Sequence, residues 1–303
     1  MLPVLRGAFP AAVLIAGVHH QPAQGWDAEV RMDLTRPDSL LRALHDAGPD
    51  HIVHLGAQAN VAESFRDAHA TWDANLNGTL SLALAVRDTS PSTRLLCVST
   101  GEVYGLSFQS GLPLDEDAPL APANPYAAAK AAADNGLARM AEAGLHVLLA
   151  RPLNHVGPGQ SDRYAVANFA RHVARIEAGL QPPVIEVGAL DRWRDFLDVR
   201  DVCAAYTLML SHWEALPNGA ALNIASGQAR RVGDVLEELI ARAGITVRIE
   251  EAAGALRPMD LLRSVGDASR ARALLGWAPR IPWEQTLDDI LADWRDRVRS
   301  SPT

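Results

Sequence analysis

Short apolar runs alternate with stretches of helical spacing along the first half of the chain. "AVLIAGV" at residues 12–18 predicts a strand, Thr35 to Ala47 a helix, and "DHIVHLGA" at 50–57 a second strand. Val61 to Arg87 has helical periodicity with a break near Asp67, and "RLLCVST" at 94–100 predicts another buried strand. A Gly- and Pro-rich loop, Gly105 to Asn124, then leads into a well-marked helix. Asn124 suits its cap, Pro125 its first turn and Gly144 its exit. "LHVLLARPL" at 145–153 closes the series as a strand. These runs are too continuously apolar for half-exposed hairpins. Alternating with helices, they predict an α/β fold: a doubly wound, Rossmann-type parallel sheet covered on both faces.

After Pro152 the pattern changes. A loop, "NHVGPGQSDRY" at 154–164, precedes a helix over 165–179, a short strand around Val184–Val187, a helix starting near Val199 and a strand around Ala221–Ile224. Further helices are expected near Val232–Ala243, Ala268–Leu275 and Trp283–Val298. The expected organisation is a first domain over 1–152, which also receives later segments, and a smaller α/β lobe over 153–303.

Composition narrows the function classes. Of 303 residues, 48% are hydrophobic and 21% charged, which excludes general disorder. With 28 Lys plus Arg against 36 Asp plus Glu, overall basicity cannot drive nucleic-acid binding, so no nucleic-acid partner is expected. No stretch approaches the roughly 20 apolar residues of a membrane span, and the N-terminal run makes a poor signal peptide, so a cytoplasmic location with no membrane partner is expected. Cys97 and Cys203 lie far apart within apolar runs, and no metal-binding spacing is present.

The candidate chemistry starts with Tyr126 and Lys130, four apart in the capped helix and so on one face, about 5–6 Å apart at Cβ. A lysine ammonium beside a phenol favours the phenolate and gives a tuned proton donor of the kind that reduction of a carbonyl requires. The spacing alone serves an exposed helix pair equally well. Thr100 ends a predicted parallel strand, where ligands gather, and is placed to hold the same carbonyl oxygen. Glu102 reads either as an acid or base or as a solvated loop carboxylate.

Taken in order, these elements resemble the extended short-chain dehydrogenase/reductase family of nucleotide-sugar epimerases, dehydratases and reductases. "HLGAQANVAESF" (54–65) resembles its cofactor-lining segment, "NLNGT" (75–79) its N-x-x-G-T motif and "RDFLDVRDV" (194–202) its R-D-[FY]-x-x-V-x-D segment. "RPMD" (257–260) and "LGWAP" (275–279) resemble the end of its substrate lobe. Within the family, "RPLNHVGPGQ" (151–160) looks most like the GDP-4-keto-6-deoxy-D-mannose reductases, which form GDP-D-rhamnose.

The resemblance implies a catalytic set of Thr100, Tyr126 and Lys130, with Glu102 beside it. Asp33, Leu34, Leu55, Gly56, Ala57 and Asn75, together with Tyr126 and Lys130, would contact the cofactor. Thr100, Glu102, Asn154, Arg194 and Arg257 would hold a GDP-sugar, the arginines forking onto its diphosphate. Asp195 and Asp198 read as lobe-fixing partners and His155 as a structural loop residue. Gly101 stands where glucose-type 4,6-dehydratases of the family carry Asp, which favours reduction; Glu102 keeps a dehydratase or epimerase open. The resemblance also implies a homodimer through a four-helix bundle of the Thr71–Val86 helix and the Tyr126 helix.

Two features depart from the family pattern. "GVHHQ" (17–21) has no acidic residue for a ribose 2′-hydroxyl, which leans towards NADP(H) and leaves NAD(H) open. The resemblance implies that the dinucleotide-binding domain (1–152) opens with a first strand and a glycine-rich fingerprint, ahead of the nucleotide-sugar substrate lobe (153–303). That strand and fingerprint are not found, and "MLPVLRGAF" reads as the tail of the helix that follows them. A start site placed too late is the favoured account. A genuine loss of the glycine turn would leave a non-catalytic nucleotide-sugar binder.

Overall fold

The computed structural model describes residues 1–251 and 261–300. Its first half runs α1 (Leu2–Ala8), β1 (Ile15–Val18), β2 (Ala28–Arg31), α2 (Pro37–Ala47), β3 (His51–His54), α3 (Val61–Arg66), α4 (Ala68–Trp72), a π-turn (Asp73–Asn77), α5 (Gly78–Thr89), β4 (Arg94–Val98), a 3₁₀ segment (Gly101–Ser110), α6 (Pro125–Glu142) and β5 (Val147–Pro152). Next come β6 (Asn154–Val156), α7 (Ala165–Glu177), β7 (Val184–Val187), β8 (Trp193–Asp198), α8 (Val199–Ser211), β9 (Ala221–Ile224), β10 (Ala229–Arg231), α9 (Val232–Ala243) and β11 (Arg248–Glu251). β12 (Arg263–Ser264), α10 (Ser269–Leu275) and α11 (Trp283–Ser300) complete the order.

Strands β3, β4, β5 and β9 form one parallel sheet in that order, and β1 pairs with β2, also in parallel. Every residue of β5 is buried, as a strand covered on both faces requires. One face packs Leu95, Cys97, Val147 and Leu149 against Leu40, Leu82, Val86 and Leu137 of α2, α5 and α6. The other packs Leu96, Leu148 and Leu222 against Val202, Tyr206 and Met209 of α8. A third cluster gathers α7, α9 and α11 over Ile185, Val187 and Phe196 and forms the core of the smaller lobe.

Most predicted elements are present, with instructive differences. β1 starts at Ile15 because the Leu14 amide donates to Asp27 Oδ2 at 2.8 Å instead of joining the ladder. Asp67 ends α3 and caps α4 by accepting the Ala70 amide at 2.9 Å, which explains the break in the long helical pattern. β9 returns to the large sheet beside β5 and so lies outside the small lobe. Strands β2, β6, β8, β10, β11 and β12 were not expected: β6 opens the segment read as a loop, and β2 ("AEVR") has no fully buried residue to signal it.

Candidate active site

The site is built where β4 ends and α6 begins. The Asn124 side chain caps α6, its Oδ1 accepting the Ala127 amide at 2.8 Å, while its Nδ2 donates to Glu102 Oε2 at 3.4 Å. Thr100 caps the 3₁₀ segment, its hydroxyl oxygen accepting the Glu102 amide at 3.2 Å. That leaves the Thr100 proton free to face the phenol oxygen of Tyr126, whose anion it favours. Two glycines permit this arrangement. Gly105 has φ +45°, and a Cβ there would run into Ala121 O. A Cβ on Gly101 would press on Leu153 Cδ1 at 2.6 Å.

Tyr126 is buried, and burial pushes its phenol well above the ordinary tyrosine range; the Thr100 hydroxyl pulls the other way and the Glu102 charge adds to the rise. This corrects the expectation of a phenol made acidic by Lys130. The Lys130 ammonium donates to Val98 O at 2.9 Å, and its field falls on His54, Cys97 and Asp134. Desolvation of the ring therefore outweighs the cation one turn away. Asp134, one further turn along, is ion-paired with Arg151 Nε at 2.9 Å; the pair is buried and fixes α6 to β5.

The expected cofactor residues fall into two groups. Asp33, Leu34 and Gly56 come together beyond the ends of β2 and β3: a Cβ on Gly56 would sit 3.1 Å from Leu34 Cδ1. Leu55 is exposed and Ala57 partly so on the same loop. Asn75 is the exception. It is fully buried, with Oδ1 accepting the Gln58 amide at 2.8 Å and Nδ2 donating to Gln58 O at 2.9 Å. Its polar atoms shape the loop after β3 from behind, because closing that loop leaves two backbone groups to satisfy.

A cavity of about 220 Å³ opens beyond β1, lined by His19, His20, Arg31, Asp33, Arg36 and Arg42 among others. Arg31 Nη1 is committed to His19 O and His20 O at 2.9 and 3.3 Å, whereas Arg36 and Arg42 have no ion-pair partner among the described residues. The Asp33 carboxylate is itself committed: Oδ1 takes the Thr35 amide and hydroxyl, which hold it below its usual range, and Oδ2 lies 3.5 Å from His19 Nε2. Two open guanidiniums and imidazole rings fit a phosphate monoester at the ribose position of a dinucleotide. The three arginines were missed in the sequence, where only their spacing around the start of α2 hinted at a cluster.

On the lobe side, β6 lies parallel to β8 with Asn154 opposite Phe196, so Asn154 and Arg194 share one face two residues apart. Arg194 Nη1 donates to Trp193 O and Leu261 O, both at 2.9 Å. Arg257 lies outside the described residues. Asp195 accepts from Ser226, Gly227 and Gly266, tying together the loops after β9 and β12. Asp198 accepts from Arg200 and Thr286, and His155 Nδ1 lies 3.0 Å from Leu153 O; all three are framework residues. Among the described residues no group of His, Cys, Asp and Glu could hold a metal ion, and no helix is long and apolar enough to cross a membrane.

Comparison with known proteins places this geometry. The profile of the family described as GDP-mannose 4,6 dehydratase matches residues 17–290. The GDP-6-deoxy-D-mannose reductase of Pseudomonas aeruginosa is 41% identical over 270 residues, covering 89% of this chain and 88% of that protein. A GDP-mannose 4,6-dehydratase of Vibrio cholerae is 28% identical, covering 88% and 79%. Among solved structures, RMD from Pseudomonas aeruginosa complexed with NADPH superposes with a TM-score of 0.84 at 37% identity, covering 97% of this chain and 95% of that one. A Thermus thermophilus UDP-glucose 4-epimerase complexed with NAD gives 0.79 at 27% identity, covering 92% and 88%. The chain belongs to the GDP-mannose 4,6-dehydratase family, within the extended short-chain dehydrogenase/reductases.

Proposed function

We propose that this protein reduces the C4 keto group of GDP-4-keto-6-deoxy-D-mannose to give GDP-D-rhamnose. The observation that carries the reading is Tyr126: a buried phenol near Thr100, whose surroundings keep its proton in place until an alkoxide develops beside it. Thr100 orients the carbonyl oxygen, and Tyr126 gives that oxygen its proton. Lys130, buried beneath, holds its cation on Val98 O within reach of a ribose. Asn154, Arg194 and Arg257 hold the nucleotide-sugar. Asp33, Leu34, Leu55, Gly56 and Ala57 cradle the dinucleotide, and Arg36 and Arg42 favour NADPH over NADH. NADPH, when bound, supplies the hydride. The 41% identical reductase and the NADPH-complexed neighbour support this choice of substrate and cofactor.

Leu153 fills the space beside Gly101, so the chain has neither the acid nor the room for it that glucose-type dehydration would use. Glu102, steadied by Asn124, is the one observation that favours a dehydratase or epimerase. The discriminating experiment mixes protein, NADPH and GDP-4-keto-6-deoxy-D-mannose. Stoichiometric loss of NADPH with formation of GDP-D-rhamnose is expected. Turnover of the nucleotide-sugar with no net consumption of NADPH would replace the reductase reading by the dehydratase or epimerase one.

The protein acts as a homodimer through a bundle of the Thr71–Val86 segment and α6, a reading supported by the exposure of Trp72 (40%) and Leu84 (41%). A reducing compartment, the cytoplasm, suits its two buried free cysteines. Sedimentation of the purified protein measures the assembly.

A further inference from the structure

Three strands of the smaller lobe set Arg230, Arg194 and Ser264 in one row. Arg230 on β10 is in register with Arg194 on β8, and Ser264 on β12 is in register with Arg194 from the other edge. In-register partners project to the same face of a sheet, which is also the face of Asn154. Like charges directly opposite one another on paired strands are destabilising. The Arg230–Arg194 pairing therefore concentrates positive charge and donors on this face.

Around Arg230 the carboxylates of Glu238, Glu284 and Asp195 act only through their fields, and the direct contacts of the guanidinium are to neutral groups. The guanidinium lies 4.7 Å over the Trp283 ring, on which Phe196 also stacks at 5.7 Å. Its Nη2 donates to the neutral amide oxygen Gln228 Oε1 at 3.0 Å, and it forms no ion pair among the described residues. Arg230 Nε is buried without a hydrogen-bond partner. Ser264 Oγ is equally unpartnered in a residue only 3% exposed, and so is Trp283 Nε1. Burial holds the Arg230 guanidinium below its usual range, outweighing the fields of Glu238, Glu284 and Asp195. Three orphan groups able to donate, two of them in the row that holds Arg194, ask for an acceptor-rich anion, since unsatisfied buried polar groups are costly.

We propose that Arg230 and Ser264, with Arg194 between them, bind the diphosphate of the nucleotide-sugar; this rests on the reductase reading above. Arg230 supplies a guanidinium fork from the β10 edge and Ser264 a hydroxyl donor from the β12 edge. The stacking on Trp283 fixes the guanidinium plane before the ligand arrives, which limits the ordering entropy lost on binding.

The test titrates GDP and, separately, guanosine into the full-length protein and its variants by calorimetry. Arg230→Met keeps an apolar stem over Trp283 and removes the charge, and GDP affinity is expected to fall about tenfold or more, guanosine affinity staying unchanged. Ser264→Ala is expected to give a smaller loss, about threefold to tenfold. In turnover, Arg230→Met raises KM with kcat held, the pattern of binding lost equally from ground and transition states. If Arg230→Met does not fold, Arg230→Lys carries the test: it keeps the charge, loses the fork and still weakens GDP. Variants that bind GDP as tightly as the wild type overturn the proposed row alone. A wild-type protein that binds no nucleoside diphosphate overturns the nucleotide-sugar reading and the row with it.

Discussion

Lys130 Nζ donates to Val98 O at 2.9 Å, so the one buried ammonium near Tyr126 is moored to the end of the strand that carries Thr100. The strand end, the proton donor and the cation are thereby one mechanical unit. Within it, Tyr126 is the proton source. Tyr126→Phe removes the proton and little else, and kcat is expected to fall by about 10²- to 10⁴-fold while GDP binding is unchanged. Single-turnover rates beside calorimetric titration with GDP check both halves. Equal turnover by the two proteins would remove Tyr126 from the chemistry.

The raised phenol makes a directional claim. Tyr126 donates only while protonated, and its surroundings keep it protonated beyond the usual tyrosine value of about 10. Keto reduction is therefore expected to show no alkaline loss of kcat from this group through pH 9. Oxidation of the product needs the phenolate and is expected to speed up about tenfold per pH unit over the same range. Glu102→Gln takes away a charge that holds the phenol protonated, and oxidation at a given alkaline pH is expected to speed up. Rates in both directions across pH 6–10 measure this; an alkaline loss in reduction near pH 7 would contradict the buried, proton-holding phenol.

The cavity beyond β1 predicts cofactor choice. Arg36 and Arg42 form no salt bridge among the described residues, Arg36 acting on Asp33 only through its field, and charge-assisted bonds to a phosphate monoester are worth more than neutral ones. Arg36→Ala and Arg42→Ala are each expected to weaken NADPH about tenfold and to leave NADH unchanged, narrowing the preference between them. Fluorescence titration with both dinucleotides reads it. Equal losses for the two cofactors would place these arginines elsewhere than at the extra phosphate.

What the sequence made legible was local. Asn124, Pro125 and the four-residue step from Tyr126 to Lys130 lie within two turns of one helix, and capping chemistry and helical pitch place them without tertiary information. The alternating apolar runs likewise fix a covered parallel sheet. The missing parts depend on distant segments meeting. Tyr126 is raised by burial, which needs the whole site to be assembled. Asn75 satisfies Gln58, seventeen positions away, an arrangement no spacing announces. Arg230 and Ser264 sit on strands of three and two residues, too short for a period-2 pattern, and register alone brings them to Arg194.

His54 carries the last prediction. It lies at the end of β3, its Nε2 3.0 Å from Thr79 Oγ1, and burial lowers its pKa to about 3, with the Lys130 charge acting in the same direction. In the unfolded chain the same imidazole titrates near the usual value of about 6.5. Between these values the unfolded state binds the extra proton, so stability from neutral His54 is complete above pH 6.5 and is lost as pH falls towards 3. The expected slope from this residue approaches about 1.4 kcal/mol per pH unit. Urea unfolding at pH 7, 6, 5 and 4 measures the slope. His54→Asn keeps a polar group for Thr79 without a basic nitrogen, and its stability should decline less steeply over this range by up to that amount. Parallel declines in the two proteins would mean that His54 takes up its proton in the folded state and that its burial does not keep the ring neutral.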